Sequence, residues 1–424
     1  MKDLLGRTAS DWASRGISRR SLLAGIGGAV GYAATPAFAQ QFALSQPEWS
    51  DGFDTSIPQQ AQVRTDKPTI GPETPSYVEA AIQRYADIVA RGGWPYVNVS
   101  QALKVGVSSP DVAVLRQRLE VSGDLEPVGG NPTAFDSFVD QGLRRFQMRH
   151  GVRPDGVLGA SGETIQAMNI PAEVRLRQLE TNLVRVRSMS GFLGDRYVMV
   201  NVPAADIETI ENGLVHSHHK AVVGKIDRPT PLLSTHITNI KFHPYWTVPI
   251  SIIKKDVIPM VQKDPQYLSK FKIRIFDWKT HEEIDPLSID WNTDQASQYM
   301  LRQDPSEINS LGAVKINFPS PEGVYMHDTP SKTLFGNDYR FDSSGCVRVQ
   351  NVREYVTWIL KYTPGWEDPA AVDAALRQSE QIDAQVADKV NLYFNYFTAW
   401  ANSDGVVQFR EDIYKKDDLD VALR

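Results

Sequence analysis

Apolar residues recur at helical spacing through the first half of the chain. Tyr77, Ala81, Tyr85 and Ile88 share one side of a predicted helix that Ser76 caps and that runs to about Arg91, where Gly92-Gly93-Trp94-Pro95 ends it. In the next unit Asp111 opens a helix with Val112, Leu115 and Leu119 inward, and Gly123 stops it. After a Gly/Pro-rich loop, Phe135, Phe138, Val139, Leu143 and Phe146 form a second stripe, and a short third helix carries Ile165 and Met168. Helices this short need one tight shared core. Glu173 to Ser188 continues as a helix with Val174, Leu179, Leu183 and Val186 on one side. Arg175, Arg177, Arg185 and Arg187 decorate its other sides, as on a solvated helix that joins two domains.

From Arg196 the period changes to two. Tyr197 to Val202 alternates as a strand, Asn212-Gly213 makes a turn, Leu214 to Gly224 is a second strand, and Leu232 to Phe242 is again β-rich. The pattern breaks between Pro249 and Asn309, where Ile250 to Gln262 and then Pro265 to Leu268 read as helix and Lys272 to Trp278 as strand. Val314 to Phe318 restarts the β pattern, and Asn351 to Tyr362 is a helix with Val352, Tyr355, Val356 and Ile359 inward. The tail predicts a helix over Ala384 to Ala401. The expected fold is multidomain α+β. It comprises a helical scaffold at 76–108, a three-helix domain at 109–170, a connecting helix at 171–195, a mainly β domain at 196–375 with a helical insertion at about 250–309, and a helical tail at 376–424.

The amino-terminal stretch changes the setting. Ser18-Arg19-Arg20-Ser21-Leu22-Leu23, a Gly/Ala-rich apolar run to Ala34, and Ala37-Phe38-Ala39 before Gln40 read as a twin-arginine export signal at 1–39, cleaved after Ala39, or as a short anchor if left uncut. Residues 40–75, punctuated by five prolines from Pro47 to Pro75, read as an extended arm. The expected location is the periplasm. With 42% hydrophobic and 23% charged residues the chain can bury ordinary cores. A net charge of −6, without interleaved basic and aromatic residues, gives no reason to expect a nucleic-acid partner. His-Glu-x-x-His, Gly-x-Ser-x-Gly and Gly-Lys-Ser/Thr motifs are absent, and His216, His218 and His219 have no acidic or Cys partner close in sequence. No metal and no cofactor is expected.

Cys346 is the single cysteine, so in an exported chain it is buried packing, half of an intermolecular bridge, or a nucleophile. The thiolate is the reactive species and needs a nearby base. Strands at Gly323 to Asp328 and Gly345 to Val349, joined by a polar loop, bring His327 back beside Cys346. On the second strand Cys346 and Arg348 share the outward face, near any substrate carboxylate, and Val347 and Val349 share the inward one. The amides around Gly345 and Cys346 are candidate oxyanion donors, and Ser343 and Ser344 join Arg348 as candidate substrate contacts. Residue chemistry alone reaches a cysteine acyltransferase or hydrolase.

His327-Asp328-Thr329-Pro330, Leu334-Phe335 and Ser343-Ser344-Gly345-Cys346-Val347-Arg348 resemble the active-site signature of the L,D-transpeptidases of the YkuD type, large Gram-negative branch. Many members carry a second His where this chain has Ser344. Phe146-Gln147, His150-Gly151 and Asp155 to Gly159 resemble the type 1 peptidoglycan-binding domain. The resemblance implies Cys346 as nucleophile, His327 as base, the Asp328 carbonyl orienting the imidazole, and Tyr325 beside the Gly345 and Cys346 amides at the oxyanion site. It also implies that the insertion is a capping subdomain. The substrates implied are peptidoglycan stem peptides, joined 3→3 through a thioester with loss of D-alanine, and carbapenem-type β-lactams would be inhibitors. A lipoprotein lysine or water are alternative acceptors, and a non-catalytic wall-binding scaffold is the reading from another class.

Overall fold

A computed structural model describes residues 66–127 and 129–417, so the expected export signal and most of the 40–75 arm lie outside the described residues. The end of that arm is tied down. The Thr69 amide and hydroxyl donate to the Glu208 carboxylate at 2.9 and 2.6 Å, and Val215 N–H donates to the Asp66 carbonyl. Helix α1, Thr74–Ala90, begins two residues before Ser76, whose hydroxyl donates back to the Glu73 carbonyl instead of capping. Pro75 in the first turn explains the earlier start, since a proline there forfeits only an N–H that has no helical acceptor.

The three-helix module forms as its stripes dictate, from α2 (Pro110–Ser122), α3 (Ser137–Arg149) and α4 (Glu163–Met168). Ser109 caps α2, and Gly123 ends it in the left-handed conformation at φ +79°. Leu115, Leu119, Phe135, Leu143, Phe146 and Met168 fill its core, and Phe138 stays exposed because it faces away from the other helices. A buried ion pair links the module to its neighbours. Arg149 is held by Asp124 through two 2.6 Å bonds and also donates to Tyr85 Oη and the Val407 carbonyl. Helix α5, Ala172–Ser188, follows, but its basic face is not wholly solvated. Arg175 is buried over the Phe409 ring, and Arg185 pairs with Asp417.

The β domain contains strands β1 (Arg196–Asn201), β2 (Asp206–Glu211), β3 (Leu214–Gly224) and β4 (Leu233–Phe242). These are followed by β5 (Trp246–Thr247), β6 (Ile273–Phe276), β7 (Met300–Gln303), β8 (Val314–Asn317), β9 (Met326–His327), β10 (Phe341–Ser343) and β11 (Val347–Val349). After helices α9 (Val352–Leu360) and α10 (Pro369–Arg377), the expected helical tail is instead a long strand, β12 (Ile382–Asn395), and a hairpin of β13 (Ala399–Ala401) and β14 (Val407–Phe409). Here alternation decides: Val390, Leu392 and Phe394 are buried on one face, and β-branched and aromatic residues fit a pleated surface better than their Ala and Gln neighbours favour a helix. β12 pairs parallel with β1 and antiparallel with β4, so the β domain reaches well beyond residue 375. The main sheet has nine strands in the order β10-β3-β11-β9-β8-β4-β12-β1-β2, and β2 also pairs with β3, which closes the sheet on itself. Its core joins Val198, Ile240, Phe242, Ile316 and Val347 to Tyr355 and Ile359 of α9.

The insertion mixes helix and strand: β6 falls where Lys272 to Trp278 read as strand, and β5 and β7 are strands the pattern did not mark. α6 (Ile250–Ile252) runs through a π-helical turn at Ile253–Val257 into α7 (Ile258–Lys263), and α8 (Tyr267–Lys270) follows. These helices pack on the three-stranded sheet β5-β7-β6 in a core of their own, including Ile253, Leu268, Ile275 and Leu301.

Asp124→Asn should leave the buried Arg149 guanidinium without its counter-ion and destabilise the protein by about 3–5 kcal/mol, read as a lower urea midpoint at unchanged m-value.

Candidate active site

Strand pairing assembles the site. β9 runs parallel to β11 with Met326 opposite Val347 and His327 opposite Arg348, and β8 runs antiparallel to β9 with Lys315 opposite His327. Lys315, His327 and Arg348 therefore form one row across three strands on one face. Tyr325 and Cys346, each two residues earlier on its own strand, form the next row on that face. His327 and Cys346 are diagonal neighbours on that face. Val347 and Val349 point into the core, as alternation required.

Cys346 is half-buried and free of any disulfide. Burial pushes its thiol up, against the opposing influence of a Tyr325 hydrogen bond and of the Lys315 and Arg348 cations. The Tyr325 hydroxyl, which accepts 3.1 Å from Trp246 Nε1, meets the sulfur, and Lys315 Nζ stands 4.1 Å from the centroid of the Tyr325 ring. The His327 ring lies edge-on to that of Tyr325, centroid to centroid 5.8 Å. His327 Nδ1 bonds the Asp328 carbonyl, which leaves Nε2 as the nitrogen available to accept a proton. Burial first, and then the Arg348 and Lys315 cations, lower the imidazole to about 3, so it is neutral at physiological pH. The Asp328 carboxylate faces the other way, accepting from Lys332 Nζ at 2.5 Å and from Ala313 N–H at 2.9 Å, and this fixes the carbonyl that His327 uses.

The turn carrying Cys346 is clamped from within. Ser343, buried, donates to the Cys346 carbonyl at 2.5 Å and accepts the Gly345 N–H at 3.1 Å. Ser343 is thus a structural clasp and not a substrate contact, and the Gly345 amide is already engaged within the turn. Gly345 has φ +109°, a conformation open essentially to glycine. Thr230 holds the Gly345 carbonyl at 2.9 Å from the loop between β3 and β4. Ser344 is exposed and accepts from Arg228 Nη1 at 2.9 Å, while Arg228 grips Asp256 of the π-turn through two bonds of 2.5 and 3.1 Å. The insertion therefore touches the site twice, through Trp246 on Tyr325 and through Asp256 and Arg228 on Ser344. Arg348 is partly exposed, its buried Nε has no hydrogen-bond partner, and the Asp342 carboxylate acts on it.

The sequence did not single out Lys315, Trp246 or Asp256. Only Lys315 carried a signal, as the lone charge in the alternating Val314-Lys315-Ile316-Asn317. His219 sits buried between Ser217 Oγ and the Gln350 carbonyl. His218 faces Asp206 and Glu208 at 3.8 Å each, acidic partners that strand pairing supplies and sequence proximity did not. Among the described residues no group of three or more His, Cys, Asp or Glu is arranged to hold a metal. Nor is any helix among them long and apolar enough to cross a membrane.

Residues 195–369 match the family model of the L,D-transpeptidase catalytic domain, YkuD, and residues 108–168 match that of a "Putative peptidoglycan binding domain". A curated protein of Haemophilus influenzae named "Putative L,D-transpeptidase" is 30% identical over 242 residues, covering 57% of this chain and 48% of its own length. The chain thus spans about half of that relative. An L,D-transpeptidase from Xylanimonas cellulosilytica is 14% identical, covering 70% of this chain and 98% of its own, at a TM-score of 0.22. An L,D-transpeptidase solved with imipenem is 17% identical, covering 47% and 58%, also at a TM-score of 0.22. Superposition that weak leaves the family match resting on the sequence models.

With the thiol raised and the imidazole neutral, iodoacetamide alkylation of Cys346 should be slow at pH 7. It should climb with a midpoint above the usual thiol value of about 8.5, without an inflexion near pH 6.5. Peptide mass spectrometry across pH 5 to pH 10 reads this directly. At fixed pH, Asp256→Ala should speed alkylation by about 2- to 5-fold, the shift that a partly exposed ion pair worth up to about 1 kcal/mol can impose.

Proposed function

We propose that the chain, whose residues 195–369 match the L,D-transpeptidase catalytic domain, is a cysteine transpeptidase that joins peptidoglycan stem peptides by 3→3 cross-links. The observation that carries this reading is the pair of rows on one sheet face: the thiol beside Tyr325, and a neutral imidazole beside two cations. A raised thiol and a depressed imidazole do not form a resting ion pair. Proton transfer accompanies attack instead, with His327 Nε2 as general base for Cys346 Sγ.

In this scheme Sγ attacks the carbonyl after the third residue of a tetrapeptide stem, and a tetrahedral oxyanion forms. Tyr325 Oη and the Cys346 N–H are the donors that answer it, since Ser343 occupies the Gly345 amide. The imidazolium then gives its proton to the departing amine of D-alanine, which leaves a thioester. A side-chain amine of a second stem attacks that thioester, His327 takes its proton, and the cross-link is released with the thiol restored. Arg348 binds a stem carboxylate, and the insertion excludes water so that an amine is preferred as acceptor. The peptidoglycan-binding module holds the wall nearby, and the export signal read at Arg19-Arg20 delivers the enzyme to it.

Intact-protein mass spectrometry tests the reading. A carbapenem should add its full mass once to the wild type and not to Cys346→Ala, and tetrapeptide stems should yield D-alanine together with dimer. His327→Gln should lower turnover by about 10²- to 10⁴-fold. A wild-type protein that takes no adduct and releases no D-alanine would end the proposal, and D-alanine without dimer would make the protein a hydrolase.

A further inference from the structure

Away from Cys346, a cavity of about 270 Å³ opens at the seam between the three-helix module, the β1–β2 turn, the 338–341 loop and the end of β14. Three guanidiniums line it, those of Arg175, Arg340 and Arg410, each more than nine-tenths buried. Their partners are neutral. Arg175 donates to Gln178 Oε1 and the Ala167 carbonyl, and Arg410 to the carbonyls of Arg149 and Phe409 and to Gln408 Oε1. Arg340 donates to the carbonyls of Asn337, Ala204 and Ala205, and its Nε has no partner. Among the described residues no carboxylate lies within ion-pair distance of any of the three, and Asp206 and Asp338 act on Arg340, and Asp206 on Arg410, only from further off; buried charges are normally paired directly. Burial lowers Arg175 and Arg410 to about 10.

The mouth of the same cavity has the opposite sign. Glu163 from α4, Asp338 from the loop before β10, and Glu411 after β14 converge there from three separate segments. Asp338 is met at the surface by Arg153 at 3.7 Å. The Glu163 carboxyl is pushed up, by burial and then by Asp338 and Glu411. A simple anion would meet these carboxylates on its way in, a simple cation would meet the buried arginines, and a neutral sugar would answer neither.

We propose that this cavity binds a small zwitterionic peptide, with its carboxylate on the arginine floor, where Arg340 Nε is unused, and its ammonium at the Glu163, Asp338 and Glu411 rim. The volume, slightly below the range of about 300–1,000 Å³ typical of drug-sized ligands, suits a dipeptide or the end of a longer peptide. The half-exposed Tyr339 lies beside it as an apolar wall for side chains. This site is independent of the transferase reading, because none of its charged residues is among the groups found around Cys346.

The test uses the full chain with Cys346 carbamidomethylated, so that nothing depends on turnover. Isothermal titration with D-alanyl-D-alanine should give saturable one-to-one binding. N-acetyl-D-alanyl-D-alanine and D-alanyl-D-alanine amide, which each lack one charge, should bind about 10-fold or more weakly, as expected for loss of a charge-assisted contact. Glu163→Gln, an exposed change that leaves the core intact, should weaken the dipeptide and leave the N-acetyl form unaffected. Arg340→Lys, which keeps the charge but not the fork, should weaken the dipeptide and the N-acetyl form alike. Absence of saturable binding, equal affinity for all three probes, indifference to Glu163→Gln, or preferential binding of N-acetylglucosamine would each overturn the assignment.

Discussion

The parallel pairing of two short strands, β9 with β11, is the constraint on which the site depends. Neither strand could persist alone, since an isolated pair of such strands is marginal in water. They are held because β8 and β3 flank them within the sheet and because Met326, Val347 and Val349 are anchored in the core under α9. Register then does the rest. A slip of one residue would turn Cys346, His327 and Arg348 into hydrocarbon and bring the valines out. The Ser343 clasp and the Thr230 bond to the Gly345 carbonyl fix the turn that feeds β11 and so defend that register at its start.

Burial and charge oppose each other in this site. Withdrawal from water raises the thiol and lowers the imidazole, while Lys315 and Arg348 favour the thiolate but further disfavour an imidazolium. The two cations thus favour negative charge on the sulfur and disfavour positive charge on the imidazole. Tyr325 belongs to the same scheme. Burial pushes its phenol far up, so it stays protonated and donates, and Trp246 bonds its oxygen from the insertion. The insertion's π-turn places Asp256 where Arg228 can reach both it and Ser344, and π-turns inside helices often occur at functional positions.

Much of the β domain was legible in the sequence wherever alternation was bracketed by turn chemistry. Asn212-Gly213 and Gly224 bound β3 as read, and the valine alternation around Cys346 gave the correct faces. β12 was obscured because Ala384, Gln385, Ala387 and Lys389 are good helix formers, and only Val390, Leu392 and Phe394 betray the period of two. A register shift between Gln385 and Val390 masks it further. In the candidate site, Cys346 stood out by being single, and strand order put His327 on the same sheet face. Ser343 was misread because a hydroxyl in a polar loop serves equally well to bind a ligand or to tie its own backbone, and only coordinates distinguish the two. Trp246 and Asp256 were invisible because they reach the site from a separately folded insertion, a long-range contact that no local pattern encodes.

The closed sheet also dictates an order of assembly. β12, drawn from near the end of the chain, lies between β1 and β4, which are its earliest and fourth strands. Until that segment exists and docks, β1 and β4 each present an unpaired row of backbone donors and acceptors, the kind of edge on which chains aggregate. Contacts between segments so far apart in sequence also form slowly. A form lacking residues beyond 381 therefore still carries Cys346 and His327 but lacks the strand that completes the sheet beneath them.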